Sequence, residues 1–369
     1  MREEFRFFDN RQKYLLFVTT TNEKNIIAEK ISATIKSLKP KKPALKIFDA
    51  GLGDGTLLMS ILRKCHNEFP TIPFLVFGKE LSLEDVRLSI EKLADRFVEH
   101  PNMVFVVSNL HYTEATSLRS KNIDKNKNAN FEILKLKGKS SFEFNSQLSQ
   151  LDEMLKKNWQ VENNPKNGNP TYAKPSSIVI YRDDHDFILD KIIPKTDGTQ
   201  NYFDLIIASQ PYRSRIPTEQ KIKYVVKPMI ESLDKGGKLV LVHSYGDDPG
   251  YEIINKIWPN EKPFPSKGNE IITYLKTNLK NSVINNLIFN EPEIVKYNLR
   301  VLPNETKNGI ATSLIFSSWN AATYVAQISD DKILEKEREG NYPEFIRTII
   351  KKYNGLWFND EIIQIERKD

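Results

Sequence analysis

The sequence contains a single cysteine, Cys65, among its 369 residues. One thiol cannot form a disulfide within the chain, so the composition is typical of a reducing compartment. A cysteine-rich zinc or iron–sulfur site is excluded for the same reason. The 5 histidines show no HxxxH or HxH spacing, and we therefore expect no metal site.

Long apolar runs are also absent. No stretch of about 18 uncharged apolar residues exists, which predicts that no helix spans a membrane. Residues 1–5 carry acids where a signal peptide has a basic and then an apolar stretch. We therefore expect a cytoplasmic protein. The chain has no internal repeat, which excludes repeat architectures.

An excess of one charge is missing as well. The chain has 54 basic and 48 acidic residues, for a net charge of +6, and the two signs alternate along it. This pattern disfavours a nucleic-acid partner without excluding one, and it gives no indication of an oligomeric state. The length predicts about two domains, or one large domain with insertions.

Short apolar runs alternate with stretches of helical periodicity. Residues 1–43 are expected to be helical, and amphipathic helices are predicted at 23–38, 56–65 and 82–97. A further helix is expected to end near residue 233. Strands are predicted at 45–49, 74–77, 103–107, 203–208 and 238–243. This alternation is typical of a parallel sheet covered by helices.

The segment 113–200 interrupts this alternation because it is polar and rich in Lys, Asn and Ser. We expect an insertion or cap that does not complete the sheet, with a helix at 146–159 and a flexible joint near 163–175. Further strands are predicted at 294–302, 312–316 and 356–365. The expected division is an N-terminal helical lid at 1–43, a core at 44–112 and 201–369 with a C-terminal extension, and the insertion at 113–200.

A glycine-rich turn, DAGLGDG at 49–55, follows the first predicted strand and opens a helix. Glycines there permit a tight turn and let a ligand approach the backbone closely, while Asp49 can anchor the loop. The spacing of Gly51, Gly53 and Gly55 does not fit the dinucleotide pattern GxGxxG, and no phosphate-binding GxxxxGK[ST] is present.

Polar residues also follow the next two predicted strands. Glu80 and Ser82 stand after the second strand, and Asn109 and Leu110 after the third. A carboxylate at the tip of a second strand can accept hydrogen bonds from both ribose hydroxyls of an adenosine, and an amide can bind adenine. The alternative is a plain strand–helix turn with an incidental acid.

In these residues the chain resembles the class I S-adenosylmethionine-dependent methyltransferases, over 44–111 and 203–245. The resemblance implies a Rossmann-like α/β fold with a mostly parallel sheet of seven strands, a reversed final strand and helices on both faces. It implies S-adenosylmethionine as donor, with Gly51 and Gly53 at its methionine part, Glu80 at the ribose, and Asn109 with Leu110 at the adenine. The implied cofactor-binding residues are Asp49, Gly51, Gly53, Gly55, Glu80, Ser82, Asn109, Leu110 and Ser209.

The tip of the fourth strand, where the methyl acceptor usually enters, carries Ser209-Gln210-Pro211-Tyr212. Two interpretations compete. One is a degenerate [DNS]PPY motif, found in methyltransferases that act on planar amino groups of bases or glutamine, with Gln210 in place of the first proline. The other is a small-molecule methyltransferase in which Gln210 points at the substrate.

The second interpretation gains from a wider resemblance to the histamine N-methyltransferase family. The segment FVTTTNE at 17–23 matches the one whose glutamate binds the substrate amine, which places Glu23 there. Gln210 matches the family's substrate glutamine, and Asp360 in LWFND at 356–360 takes the place of a substrate-binding asparagine. The resemblance implies a small-molecule acceptor with an amine nitrogen. The acceptor-site candidates are Glu23, Gln210, Tyr212, His243 and Asp360.

Each candidate also has a purely structural interpretation. Glu23 is an acid at a helix N-terminus, where the helix dipole favours it, and Gln210 is suited to a surface turn. Asp360 is suited to a hairpin turn, and His243 can be a hydrogen-bonded structural residue instead of a general base. Asp247 and Asp248 resemble a cation-binding pair but precede a Pro-Gly turn. The N-terminal aromatic residues could line a pocket or pack the N-terminal helix on the core, and we expect packing for most of them: Phe7, Phe8, Tyr14 and Phe17. A non-catalytic protein that kept the cofactor pocket is a third possibility.

Overall fold

The structure, a computed structural model, describes residues 11–165, 168–300 and 310–369. Phe7 and Phe8 lie outside the described residues. The strands are β1 (Leu45–Asp49), β2 (Phe74–Lys79), β3 (Met103–Ser108), β4 (Asn130–Leu136), β5 (Val161–Asn163), β6 (Pro170–Tyr172), β7 (Ser176–Arg182), β8 (Phe203–Ser209), β9 (Leu233–Ser244), β10 (Leu287–Phe289), β11 (Glu293–Asn298) and β12 (Trp357–Arg367).

The helices cover both faces of the sheet and the ends of its strands. They are α1 (Arg11–Thr20), α2 (Glu23–Lys36), α3 (Thr56–Glu68), α4 (Leu83–Glu91), α5 (Ala94–Glu99), α6 (Ile123–Lys127), α7 (Ser141–Leu148), α8 (Asp152–Asn158), α9 (Asp186–Leu189), α10 (Thr218–Lys221), α11 (Lys227–Glu231), α12 (Pro249–Ile257), α13 (Gly268–Asn278), α14 (Asn281–Ile284), α15 (Thr312–Val325), α16 (Asp330–Glu339) and α17 (Tyr342–Tyr353). A π-helical turn, Ile222–Val226, joins α10 to α11.

The main sheet runs in the order β10-β12-β9-β8-β1-β2-β3-β7-β4, with β11 also paired to β12. The central strands β9, β8, β1, β2 and β3 are parallel, and β12 is antiparallel to β9. Strand order reverses between β1 and β8. In open α/β sheets, ligands bind at the carboxyl ends of the strands at such a switch point.

The fold class is confirmed. Along β1, Leu45 and Ile47 pack in one buried cluster and Phe48 in another, because successive side chains of a strand point to opposite faces. Both faces are therefore covered, as in α/β proteins with parallel sheets. The reversed final strand is also confirmed as β12, whereas the expected count of seven strands is wrong because the main sheet of the described residues has 10.

The expectation that the segment 113–200 does not complete the sheet is wrong. β7 pairs antiparallel with β3, with Val179 opposite Val106, and β4 extends the edge parallel to β7. Every residue of β7 is buried. This short apolar strand stands between polar stretches, so the overall composition of the segment concealed it. The division of the chain into lid, core and insertion stays a prediction.

The strand predicted at 312–316 is wrong, because these residues begin helix α15. Leu314, Ile315, Ser318 and Trp319 are buried, and their spacing is that of one helix face. The predicted strand at 294–302 corresponds to β11 as far as residue 298, and its residues 301–302 lie outside the described residues. The predicted strand at 356–365 corresponds to β12. The predicted helix at 82–97 is divided into α4 and α5, the predicted helix at 146–159 falls on α7 and α8, and β5 pairs with β6 at the expected joint.

Among the described residues, none of the helices combines the length and the apolar character needed to cross a membrane.

Candidate functional site

The glycine-rich turn connects β1 to α3. Gly53 and Gly55 adopt left-handed backbone conformations, with φ of +51° and +78°, which favour glycine. The backbone N–H of Gly51 donates to Asp49 Oδ1 at 3.2 Å, so Asp49 anchors the loop. A Cβ on Gly53 would stand 2.3 Å from the hydroxyl oxygen of Tyr14. The backbone here therefore leaves no room for a side chain.

Glu80 links this turn to the end of β2. Its carboxylate accepts backbone hydrogen bonds from Gly53 at 2.9 Å, Leu81 at 2.8 Å and Ser82 at 2.9 Å. The indole N–H of Trp159 donates to the carbonyl of Glu80 at 3.1 Å. Since an ionised carboxylate has about four acceptor positions, three donors fix its orientation and leave capacity for a ligand hydroxyl.

Helix α1 covers the glycine-rich turn. The Tyr14 hydroxyl donates to Asp54 Oδ1 at 3.1 Å, and Asp54 also accepts from Lys92 Nζ at 2.5 Å. Burial raises the pKa of Tyr14 well above its usual value, and the neighbouring Asp54 raises it further. Arg11 forms an ion pair with the buried Asp85 of α4. Side chains of α1 thus fasten it to the loop and to α4.

One cavity of about 340 Å³ lies at the carboxyl ends of β1, β2, β8 and β9. It is bounded by the glycine-rich turn, the end of β2, the tip of β8 and the N-terminal helices. The expected site residues that line it are Glu23, Gly51, Gly53, Glu80, Ser82, Ser209, Gln210 and Tyr212. Residues expected at the cofactor and residues expected at the acceptor therefore share one cavity.

Gln210 occupies the tip of β8 in a left-handed conformation, with φ of +50°. Its side-chain amide donates to Asp360 Oδ1 at 3.2 Å, and its carbonyl accepts from the backbone N–H of Ser244 at 3.2 Å. The interpretation of Gln210 as a free residue in a surface turn is therefore wrong, because both the N–H group and the carbonyl of its amide are hydrogen-bonded within the chain. These hydrogen bonds connect the tip of β8 to β9 and β12.

Asp360 lies within β12 and is fully buried, so its interpretation as a hairpin-turn residue is wrong. Burial raises its pKa well above the usual value, and the nearby carboxylate of Glu23 adds to the rise. Glu23, the first residue of α2, is 1% exposed. Two acids on distant segments are thus brought together beneath Gln210.

Lys24 provides a cation beside this pair. Its Nζ lies 3.0 Å from Glu23 Oε2 and 3.4 Å from Ser209 Oγ. Burial opposes the charge of the ammonium, but the carboxylates of Glu23 and Asp360 outweigh it and raise the pKa of Lys24. This lysine was not predicted from the sequence, where it is one of many.

Tyr212, His243 and Glu361 form a hydrogen-bonded chain behind the cavity. The Tyr212 hydroxyl and His243 Nδ1 are 2.7 Å apart, and His243 Nε2 is 2.9 Å from Glu361 Oε2. Burial lowers the pKa of His243, which favours the neutral ring. Its Nε2–H then donates to Glu361, leaving Nδ1 to accept from Tyr212. His243 is not a lining residue, and its role as a base stays a prediction.

The remaining expected cofactor residues do not line the cavity. The Asn109 side chain donates to Lys174 O at 2.9 Å and accepts from Ser176 N at 2.8 Å, which joins β3 to the start of β7. Leu110 is packed in the core, Gly55 begins α3, and Asp49 lies beneath the turn. Burial raises the pKa of Asp49 to about 7. The assignment of Asn109 and Leu110 to the adenine stays a prediction.

Five aromatic lining residues were not predicted as site residues: Tyr14, Phe17, Tyr112, Tyr297 and Tyr324. Their positions carry no motif, although Tyr14 and Phe17 share one face of α1. Lys79, also in the lining, has a pKa lowered by burial and lies 4.9 Å from the ring centre of Tyr112.

The Asp247–Asp248 pair has a structural explanation. Asp248 caps α12 by accepting from Tyr251 N at 2.7 Å, and it also accepts from Asn359 N at 2.9 Å. The turn interpretation therefore accounts for it. Within the described ranges, no group of three or more His, Cys, Asp or Glu side chains could hold a metal ion.

No protein-family model matches the sequence, and no curated protein matches it. Similar solved structures include a candidate class I S-adenosylmethionine-dependent methyltransferase from Listeria monocytogenes, at 9% identity and a TM-score of 0.35. The match covers 94% of this chain but 60% of the Listeria chain.

A geranyl diphosphate methyltransferase in complex with geranyl diphosphate and sinefungin matches at 12% identity, over 93% of this chain and 78% of the other, with a TM-score of 0.35. A candidate sarcosine dimethylglycine methyltransferase from Galdieria sulphuraria matches at 8% identity, with a TM-score of 0.38. The match covers 94% of this chain and 86% of the Galdieria chain. Likeness at this level carries no argument about activity, so the function below rests on the chain's own site.

Proposed function

We propose that the protein is an S-adenosylmethionine-dependent methyltransferase that methylates an amine nitrogen of a small molecule. The observation that carries this proposal is the single cavity in which Gly51, Gly53 and Glu80 face Glu23 and Gln210. A methyltransferase needs donor and acceptor in one enclosed space, because the reaction depends on bringing the nucleophile in line with the methyl group.

The donor side fits S-adenosylmethionine. Gly51 and Gly53 of the glycine-rich turn form part of the cavity lining, and Glu80 retains acceptor capacity at the strand tip where a ribose hydroxyl would lie. S-adenosylmethionine supplies an activated methyl group on a sulfonium. The protein's own task is then to fix the loop through Asp49, Tyr14 and Glu80, and to exclude water with α1.

The acceptor side fits an amine. Glu23 and Asp360 place two carboxyl groups under the cavity wall, where burial favours the neutral form of Asp360 and Lys24 is ion-paired with Glu23, so the cluster offers polar groups without a net negative charge. An amine attacks only when neutral, so a buried carboxylate can both attract its ammonium form and take a proton. The resemblance to histamine N-methyltransferases stays a prediction about which amine is methylated.

A nucleic-acid or protein N-methyltransferase is the second candidate, on the basis of Ser209-Gln210-Pro211-Tyr212. The internal hydrogen bonds of Gln210 with Asp360 and of Tyr212 with His243 disfavour it. Those polar groups are engaged within the chain and are not presented to a planar base.

Single-turnover transfer tests the acceptor side. Glu23→Gln, Gln210→Ala and Asp360→Ala should each slow methyl transfer by about one to three powers of ten, the scale of a lost positioning or proton-accepting group. Donor affinity should barely change. Glu29→Gln is a matched control, because Glu29 lies on the same helix as Glu23 with a side chain that is 71% exposed. Wild-type rates in all three site variants would contradict the proposal.

A further inference from the structure

The lining of the cavity carries more positive than negative charge. Its charged side chains are the acids Glu23 and Glu80 and the cations Arg11, Lys24, Lys79 and Arg213. Arg11 forms an ion pair with Asp85. The ammonium of Lys24 lies 3.0 Å from Glu23 Oε2. Lys79 differs from these two cations, because no carboxylate of the described residues lies within ion-pair distance of its ammonium.

Lys79 is the last residue of β2, and its side chain is half-buried at the cavity surface. Its ammonium lies 4.9 Å from the centre of the Tyr112 ring, which also lines the cavity. The Tyr112 hydroxyl donates to the carbonyl of Pro211 at 2.7 Å. Pro211 directly follows Gln210 at the tip of β8. Tyr112 therefore connects Lys79 to the strand tip at which we propose that the acceptor enters.

The charge of Lys79 is only partly compensated within the chain. Burial opposes the charged ammonium and lowers the pKa of Lys79, and the neighbouring Glu80 carboxylate offsets only part of this effect. The Glu80 carboxylate already accepts three backbone N–H groups. An aromatic ring attracts a cation more weakly than a carboxylate does. Since a partly desolvated cation is stabilised by an opposite charge, this position is suited to an anionic group of a ligand.

The donor does not bring an excess of negative charge. S-adenosylmethionine carries a sulfonium, an ammonium and a single carboxylate, so its net charge is positive. Its carboxylate belongs to the methionine part, which is expected at Gly51 and Gly53, whereas Lys79 adjoins Glu80 and Tyr112. An amine nitrogen is neutral when it attacks. The negative charge that balances the cavity must therefore come from another group of the acceptor.

Given the proposed function, on which this inference rests, we infer that the methyl acceptor is a small amine that also carries an anionic oxygen group, a carboxylate or a phosphate, and that the Lys79 ammonium binds this group. An ammonium has three N–H donors, and its hydrogen bonds to charged oxygen are among the strong ones. The bond from Tyr112 to Pro211 holds the binding position of the anion close to the tip of β8. An amine without an anionic group leaves the positive charge of the cavity unbalanced beside a cationic donor.

The identity of the methylated product tests this inference without any variant. The full-length protein is given S-adenosylmethionine with an isotopically labelled methyl group and the low-mass metabolite fraction of a cell extract. The labelled product is then purified and identified by mass spectrometry. We expect a compound that contains a carboxylate or a phosphate in addition to the new N-methyl group. Removal of the anionic group by alkaline phosphatase identifies a phosphate, and resistance to the phosphatase together with conversion to a methyl ester identifies a carboxylate.

Variants of Lys79 connect the anionic group to this side chain. Lys79→Met keeps an apolar stem and removes the charge. It should raise the KM for the acceptor identified in the first experiment at least about tenfold, the scale of one lost charged hydrogen bond, and leave the affinity for S-adenosylhomocysteine unchanged. Lys79→Arg should retain most of the acceptor affinity. Lys276→Met is a matched control with the wild-type KM, because Lys276 also lies beside a ring, 5.4 Å from the centre of Phe289, but is exposed and outside the cavity lining.

The outcomes separate this inference from the proposed function. A labelled amine without an anionic group overturns the inference, while the transfer itself still supports the proposed function. An unchanged KM in Lys79→Met also overturns it, as does a weaker affinity of this variant for S-adenosylhomocysteine, which would assign Lys79 to the donor. If Lys79→Met does not fold, the identity of the wild-type product and the KM of Lys79→Arg decide the question. The absence of any labelled low-mass product contradicts the proposed function instead.

Discussion

Replacing Gly53 by alanine tests whether the glycine-rich turn is built for a ligand to approach its backbone. At this position φ is +51°, and the added Cβ would stand 2.3 Å from the Tyr14 hydroxyl oxygen. Gly340 is a matched control because its φ of +73° is also left-handed, while a Cβ there has nothing within 4 Å. The two substitutions therefore share the backbone strain and differ in what the methyl group meets.

The expected losses follow from these contacts. Gly340→Ala should lower the free energy of unfolding by about 1–2 kcal/mol, the penalty for a left-handed alanine. Gly53→Ala should add the displacement of Tyr14, which donates to Asp54 Oδ1 at 3.1 Å and accepts from Asp54 N at 3.3 Å. At about 0.5–1.5 kcal/mol for each hydrogen bond, its total loss should be about 2–5 kcal/mol.

Urea unfolding and calorimetric titration with S-adenosylmethionine measure the two effects. Donor affinity should fall at least about tenfold in Gly53→Ala, because the methyl group displaces Tyr14, which lines the same cavity as Gly51 and Glu80. Gly340→Ala should bind as the wild type does. Equal stability losses and equal donor affinities in the two variants would refute this explanation of the turn.

Three further predictions concern other parts of the chain. Glu80→Ala should weaken donor binding by about 1.5–3 kcal/mol, as for a hydrogen bond to a charged group, while Glu80→Gln should lose less by calorimetry because one oxygen remains. In urea unfolding, Ile180→Ala in the buried strand β7 should lower the free energy of unfolding by about 2–5 kcal/mol. Ile133 in β4 is 49% exposed, so Ile133→Ala should change the free energy of unfolding by no more than about 0.5 kcal/mol. In the folded state Asp49 keeps its proton up to about pH 7, whereas in the unfolded state it loses that proton near pH 4. The free energy of unfolding should therefore decrease as the pH rises through this window. In urea titrations at several pH values, Asp49→Asn should reduce that decrease by about 2–4 kcal/mol.

The strands that carry the site could be predicted from the sequence because each is a short apolar run followed by polar or glycine residues. Gly51, Gly53 and Glu80 come together simply because parallel strands place their carboxyl ends at one edge of the sheet. Glu23 could be placed only through resemblance, since an acid at a helix start has an ordinary structural explanation.

What could not be predicted depends on contacts between distant segments. The burial of Asp360 beside Glu23 requires β12 to pair with β9 and α2 to pack nearby, and no local pattern encodes that meeting. Tyr297 has no motif, and its place in the cavity lining becomes visible only when its surroundings are complete. β7 was missed for a different reason, because the polar residues around it dominate the composition of its segment.

The most direct test of the central claim is methyl transfer from labelled S-adenosylmethionine by the full-length protein, offered a cell extract divided into a low-mass metabolite fraction and a macromolecular fraction of RNA and protein. The site predicts label in the low-mass fraction, on a compound that becomes an N-methylamine, and loss of that label in Asp360→Asn. Label confined to RNA or protein would contradict the small-amine acceptor. No transfer to either fraction, together with no binding of the donor, would contradict the assignment as a methyltransferase.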